Sequence, residues 1–136
     1  MPTHAVLVHL PIGLWTFGTL ILCIAVIGPH SSYRQPAWII LLIATIAAIA
    51  SASTGQSDLM RLNPSGQSLF VQHQRWGNAL PWLMGTTLVL RIHTQLARKN
   101  VPETWWTIPC ILITASLWWT AYLGTWALFQ GALRLT

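Results

Sequence analysis

Two histidines, each followed four residues later by a glycine, are the residues of this chain best suited to chemistry. His9 precedes Gly13, and His73 precedes Gly77. Because a helix completes a turn in about 3.6 residues, each glycine would lie beside its histidine on one helical face. A histidine next to bare backbone suits a flat ligand lying against the helix. The pattern therefore indicates haem b, with His9 and His73 as its axial ligands.

Arginines near the histidines suit the acidic edge of such a haem. Two imidazoles on facing helices are a common way for a helical bundle to hold haem iron. Arg75 and Arg61 are the candidate partners of the haem propionates. Bis-histidine ligation leaves no open coordination position, so the prediction is electron transfer without catalytic turnover by this chain.

A cluster of three histidines is an alternative site, for copper or zinc. It would join His4 to His9 and His73. His4 and His9 are five residues apart, about 140° around a helix. They would therefore share a ligand only if the chain before Pro11 is extended.

Other catalytic arrangements are excluded by the residues present. The chain has two acidic residues, Asp58 and Glu103, which are predicted on opposite sides of a membrane. Catalysis by a carboxylate pair is therefore excluded, and the sequence has no GxSxG or HExxH motif. Cys23 and Cys110 lie in apolar runs and are expected to be small buried residues without a disulfide.

Composition predicts the elements that must position the histidines. Of 136 residues, 54% are hydrophobic and 7% are charged, against about 25% charged in soluble domains. Four apolar segments span residues 5–28, 37–55, 77–97 and 104–131, and about 20 residues are needed to cross a bilayer core. The expected fold is an all-α, integral membrane four-helix bundle in one domain, in contact with the lipid bilayer.

Basic residues at the segment ends indicate topology rather than nucleic-acid binding. The net charge is +5, but its seven basic residues are scattered along the chain. The short loop with Arg98 and Lys99 is assigned to the cytoplasm. Both termini are then periplasmic, in a bacterial inner membrane, and His9 and His73 lie near the outer face. His30 and His93 are expected at the inner face as interfacial residues.

The second segment changes from bulky to small residues in its outer half. Ala47, Ser51 and Gly55 recur every four residues there. Close helix packing is the simpler interpretation, and space for a ligand is the alternative.

Three motifs resemble those of a group of uncharacterised bacterial four-helix membrane proteins that share a domain of unknown function. His4 to Leu14 is similar to the opening motif H-P-x-x-V-H-F-P-I-A-L, and His73 and Gly77 to a central H-x-x-x-G. Gly124–Gly131 is similar to a closing G-G-x-L-V-Y-x-x-G. Leu10 replaces phenylalanine and Gly13 replaces alanine, so the glycine beside His9 departs from the group. The resemblance implies a membrane redox or accessory role.

Two functional hypotheses follow. The first is a small b-type cytochrome that exchanges electrons with a membrane or periplasmic redox protein. The second is a non-catalytic accessory subunit without a cofactor. Its surface, rich in tryptophan because the chain has nine of them, would dock onto a larger respiratory or photosynthetic complex. A transport role is disfavoured because no series of charged residues lines a path across the bilayer.

Overall fold

A computed structural model describes residues 8–28, 31–58 and 67–133. The helices are α1 (His9–Ile27), α2 (Arg34–Asp58), α3 (Gln67–Leu96) and α4 (Glu103–Leu133). A 3-10 turn, Ser31–Tyr33, precedes α2, and the described residues contain no strand. The all-α membrane bundle predicted from the sequence is confirmed.

The helices pack in a ring in which each contacts its two neighbours. α1 packs against α2 and α4, and α3 packs against the same two helices. α1 and α3 lie diagonally and have no close backbone approach within the described residues. This is the up-down-up-down arrangement that short connections favour. We call the end with the starts of α1 and α3 the histidine end, and the end with the α3–α4 loop, residues 97–102, the loop end.

Three of the four helices are long and apolar enough to cross a membrane. They cover His9–Ile27, Ser31–Ser53 and Glu103–Ala127. α3 has enough length, at 30 residues, but it begins at Gln67, ten residues before the predicted apolar segment. Those ten residues are mainly polar and extend the helix without making it hydrophobic. The predicted fourth crossing therefore stays a prediction.

Hydrogen bonds inside the apolar core join α1 to α4. Trp15 is fully buried, and its Nε1–H donates to the carbonyl oxygen of Cys110 over 3.2 Å. One turn along, the hydroxyl groups of Thr114 and Thr19 are hydrogen-bonded to each other over 3.2 Å. Such bonds hold helices together where lipid offers no competing partner. Both cysteines are free thiols; Cys110 is buried, as expected, whereas Cys23 is only half-buried.

The side chains on the buried face of α2 become smaller towards the histidine end. Leu41 is fully buried at its bulky half, and Ala44, Ala48 and Ser51 continue the same buried face. Ala47 is only half-buried. The small half of α2 therefore faces the interior of the bundle.

Gly18 sets the close approach of α1 to α2. A Cβ there would lie 3.0 Å from the Cγ and Cδ2 atoms of Leu41, whose side chain is fully buried and has little room to move. We expect Gly18→Ala to lower the free energy of unfolding by about 1 kcal/mol. The matched change Gly85→Ala meets no described atom within 4 Å and should raise stability by ~0.5–1 kcal/mol. Unfolding in mixed micelles measures both, and equal effects would contradict this packing.

Candidate functional site at the histidine end

His73 lies on the face of α3 that points into the bundle. Leu80, Met84 and Thr87 are buried and recur every three or four residues along this helix. Gly77 and His73 continue that spacing towards the histidine end, and both are half-buried. The helical repeat therefore directs the imidazole towards the interior.

A backbone carbonyl of α4 fixes the orientation of the His73 ring. The Nδ1 atom lies 2.7 Å from the carbonyl oxygen of Thr120. A carbonyl only accepts, so Nδ1 carries the hydrogen and donates it, and in the neutral imidazole the lone pair is on Nε2. Metal-ligating histidines are usually oriented by this kind of bond from their other nitrogen.

Gly124 of α4 provides the surface on which the imidazole rests. A Cβ at this position would lie 2.8 Å from Cε1 and 2.9 Å from Nδ1 of His73. No ordinary side chain fits at that separation, so the ring lies directly against helix backbone. The glycine that accommodates His73 is thus on another helix. Sequence reasoning placed Gly124 in a closing motif but did not connect it with the histidine.

Gly77 borders open space on the inward face of α3. A Cβ there would meet no described atom within 4 Å. Arg91 of α3 contacts Trp38 of α2 near the loop end. The two helices are antiparallel, so thirteen residues from each of these positions towards the histidine end, Asn78 of α3 is level with Ser51 of α2. The small half of α2 is therefore level with Gly77. The region beside His73, open at Gly77 and bordered by small side chains of α2, has the shape that a flat ligand requires.

His9 lies at the same level of the bundle as His73 but on an exposed face. Trp118 donates its Nε1–H to the hydroxyl of Thr16 over 3.2 Å. About two turns closer to the histidine end lie His9 on α1 and Thr125 on α4. His9 and Gly13 are both exposed, on the side of α1 opposite buried Trp15. The open space beside Gly13 therefore lies outside the bundle.

The remaining predicted residues are not brought to this site by the described structure. Arg75 is exposed and two residues beyond His73, about 200° around the helix. His4 and Arg61 lie outside the described residues. Within the described ranges no group of three or more His, Cys, Asp or Glu side chains is placed to hold a metal ion. Because His4 is not among them, the copper or zinc site stays a prediction.

A second polar cluster lies at the loop end. The Arg91 guanidinium forms a salt bridge with Glu103, and the two side chains are only 10% and 14% exposed. The Cζ atom of Arg91 lies 5.3 Å from the centroid of the Trp38 ring. The sequence does contain a signal for this pair. Arg91 is a single charge within an apolar segment and therefore needs a partner, and Glu103 follows it across a short loop.

Comparison with known protein families gives a match over nearly the whole chain. A family model described as "Predicted membrane protein (DUF2231)" matches residues 1–135. No curated protein sequence and no solved structure matches the chain. The match agrees with the resemblance seen in the three sequence motifs, and it carries no assigned activity.

Proposed function

Because the chain belongs to the DUF2231 family of predicted membrane proteins, we propose a membrane function for it: electron transfer by a haem b bound at the histidine end. The observation that carries the proposal is the 2.7 Å bond from His73 Nδ1 to the Thr120 carbonyl. It fixes the ring of an inward-facing imidazole through Nδ1, the kind of bond that orients histidines which bind metals through the other nitrogen.

The residues around His73 fit a flat macrocycle. Gly77 leaves room on the same face of α3. On the facing helix α2, the small buried side chains of Ala48 and Ser51 occupy little of the space between the helices. When bound, haem supplies one-electron chemistry. The chain supplies the ligand, its orientation, and a region partly closed to water. Arg75 and Arg61 remain the proposed partners of the propionates.

We propose His9 as the second axial ligand. It is level with Gly124, against which His73 packs, but its exposed position requires the first turn of α1 to rotate. That turn is weakly held, since its N-cap residue Val8 makes no side-chain capping bond. The histidine end is proposed to face the periplasm of a bacterial inner membrane, where it would meet a membrane or periplasmic redox protein.

Difference spectra of the histidine variants test the proposal. The dithionite-reduced minus oxidised spectrum of the purified protein should show Soret and α bands. These should be lost in His73→Ala and His9→Ala and kept in His93→Ala, since His93 is exposed at the loop end. Loss in His4→Ala instead of His9→Ala would assign the second ligand to His4. Unchanged bands in His73→Ala would contradict the site.

Glycine variants locate the haem relative to the two helices. Gly77→Leu should remove the haem bands, because its side chain enters the space beside His73. Gly13→Leu lies on the exposed face of α1 and should keep them, while a loss there would place the haem against α1, as the two-glycine pattern predicts. Absorbance per protein measures both, and a haem-replete Gly77→Leu protein would contradict the proposed position.

An accessory role is the second candidate, supported by an exposed row of aromatic side chains on α4. Trp119 stacks with Tyr122 at a centroid distance of 5.7 Å, and Tyr122 stacks with Trp126 at 6.3 Å. All three side chains are exposed, which suits docking on a larger membrane complex as well as contact with lipid. A wild-type protein without haem bands that co-purifies with such a complex would favour this role.

A further inference from the structure

Three polar atoms at the loop end are buried without a hydrogen-bond partner among the described residues. They are Nε1 of Trp38, Nε of Arg91 and Oε2 of Glu103. All three belong to one cluster, because the Arg91 guanidinium binds Glu103 and lies over the Trp38 ring. Buried polar groups in native proteins are nearly always satisfied, by protein or by ordered water.

We infer that this cluster is a binding site for internal water, within the bundle and separate from the histidine end. The unpaired atoms provide two N–H donors and one carboxylate oxygen. A water molecule accepts two hydrogen bonds and donates others, and buried waters typically make about three. The Trp38 and Arg91 N–H groups would donate to the water, which would donate to Glu103.

The chemistry of the three atoms favours water over an ion. An anion would accept from Trp38 and Arg91, but it would be repelled by the Glu103 carboxylate. A cation would be attracted by Glu103, but it would face the Arg91 charge and two N–H groups. A neutral molecule that both donates and accepts matches all three atoms. Water is the smallest such molecule and requires the least space.

The inferred water would join the Glu103 carboxylate to the N–H groups of Trp38 and Arg91. The side chain of Glu103 is 14% exposed, so a bridging water would connect its carboxylate to the polar loop end. This inference does not depend on haem.

Hydroxyl-radical footprinting of the protein in lipid nanodiscs tests the site, because X-ray radiolysis of a bound water oxidises the side chains next to it. We expect Trp38 to be oxidised several-fold faster than Trp106, which is also half-buried near the loop end. Trp15 is the protected control, since it is fully buried and its N–H is bonded to Cys110. In the double variant Arg91→Met/Glu103→Leu the rate at Trp38 should fall to that of Trp106.

Protection of Trp15 in the same sample verifies that the double variant keeps its core. If that protection is lost, Glu103→Gln serves instead, since it keeps the side-chain shape and replaces one carboxylate oxygen with an NH2 group that only donates. With Arg91 holding the remaining oxygen, the water loses its acceptor, and the Trp38 rate should fall. A Trp38 rate no higher than that of Trp106 in the wild type, or the same in wild type and a folded variant, would overturn the inference.

Discussion

Arg91→Met should lower the free energy of unfolding by about 3–5 kcal/mol, because it leaves the Glu103 carboxylate buried without its partner. The pair lies within the bundle, with Arg91 also stacked over Trp38. It joins α3 to α4, and through Trp38 it reaches α2. Glu103→Leu should cost a similar amount for the converse reason. Unfolding in mixed micelles, or steric trapping in bicelles, measures the change.

The double variant distinguishes the loss of the ion pair from the effect of leaving one charge buried without its partner. Arg91→Met/Glu103→Leu removes both charges and should recover most of the lost stability, since a buried ion pair is often no better than apolar residues of similar volume. Lys99→Met, at an exposed position of the same loop, should have almost no effect. A double variant as unstable as the sum of the two singles would contradict this account.

Gly124→Ala should expel the His73 ring from its position and with it remove haem. The new Cβ would lie within 2.9 Å of two ring atoms, and because α4 backbone carries it, the ring must move. The bond to the Thr120 carbonyl would be lost, and overpacking of this kind costs ~1–3 kcal/mol. Haem absorbance per protein and 15N NMR of the imidazole, which reports the tautomer, measure the displacement.

Gly77→Ala is the matched control for this substitution. It adds the same methyl group where no described atom lies within 4 Å. It should keep the His73 tautomer and raise stability by up to ~1 kcal/mol, the usual gain of alanine over glycine in a helix. Gly124→Ala protein that keeps wild-type haem and the wild-type tautomer would show that the ring does not rest on Gly124.

The helices follow from the sequence because hydropathy and length decide them locally. The apolar runs predicted α1, α2 and α4 nearly to their ends. Hydropathy alone does not show the start of α3, since Gln67–Trp76 is mainly polar but helical. Helix formation needs only satisfied backbone bonds and does not require an apolar surface.

The orientation of the histidines was only partly accessible from the sequence. The 3.6-residue spacing from Leu80 and Met84 back to His73 indicates an inward face, and the same spacing from Trp15 places His9 outward. The spacing of histidine and glycine is the same in both helices and does not distinguish these two faces. The contact of His73 with Gly124 joins residues far apart in the chain, and it depends on the register of two helices, which no local pattern reveals.

Haem content shows whether the histidine end binds haem. Protein purified in mild detergent from haem-supplemented cells is assayed by the pyridine haemochrome method, alongside His73→Ala protein prepared in the same way. The proposal predicts stoichiometric haem b in the wild type, low-spin by electron paramagnetic resonance, and none in the variant. Wild-type protein that is folded but free of haem, or equal haem in both proteins, would contradict it.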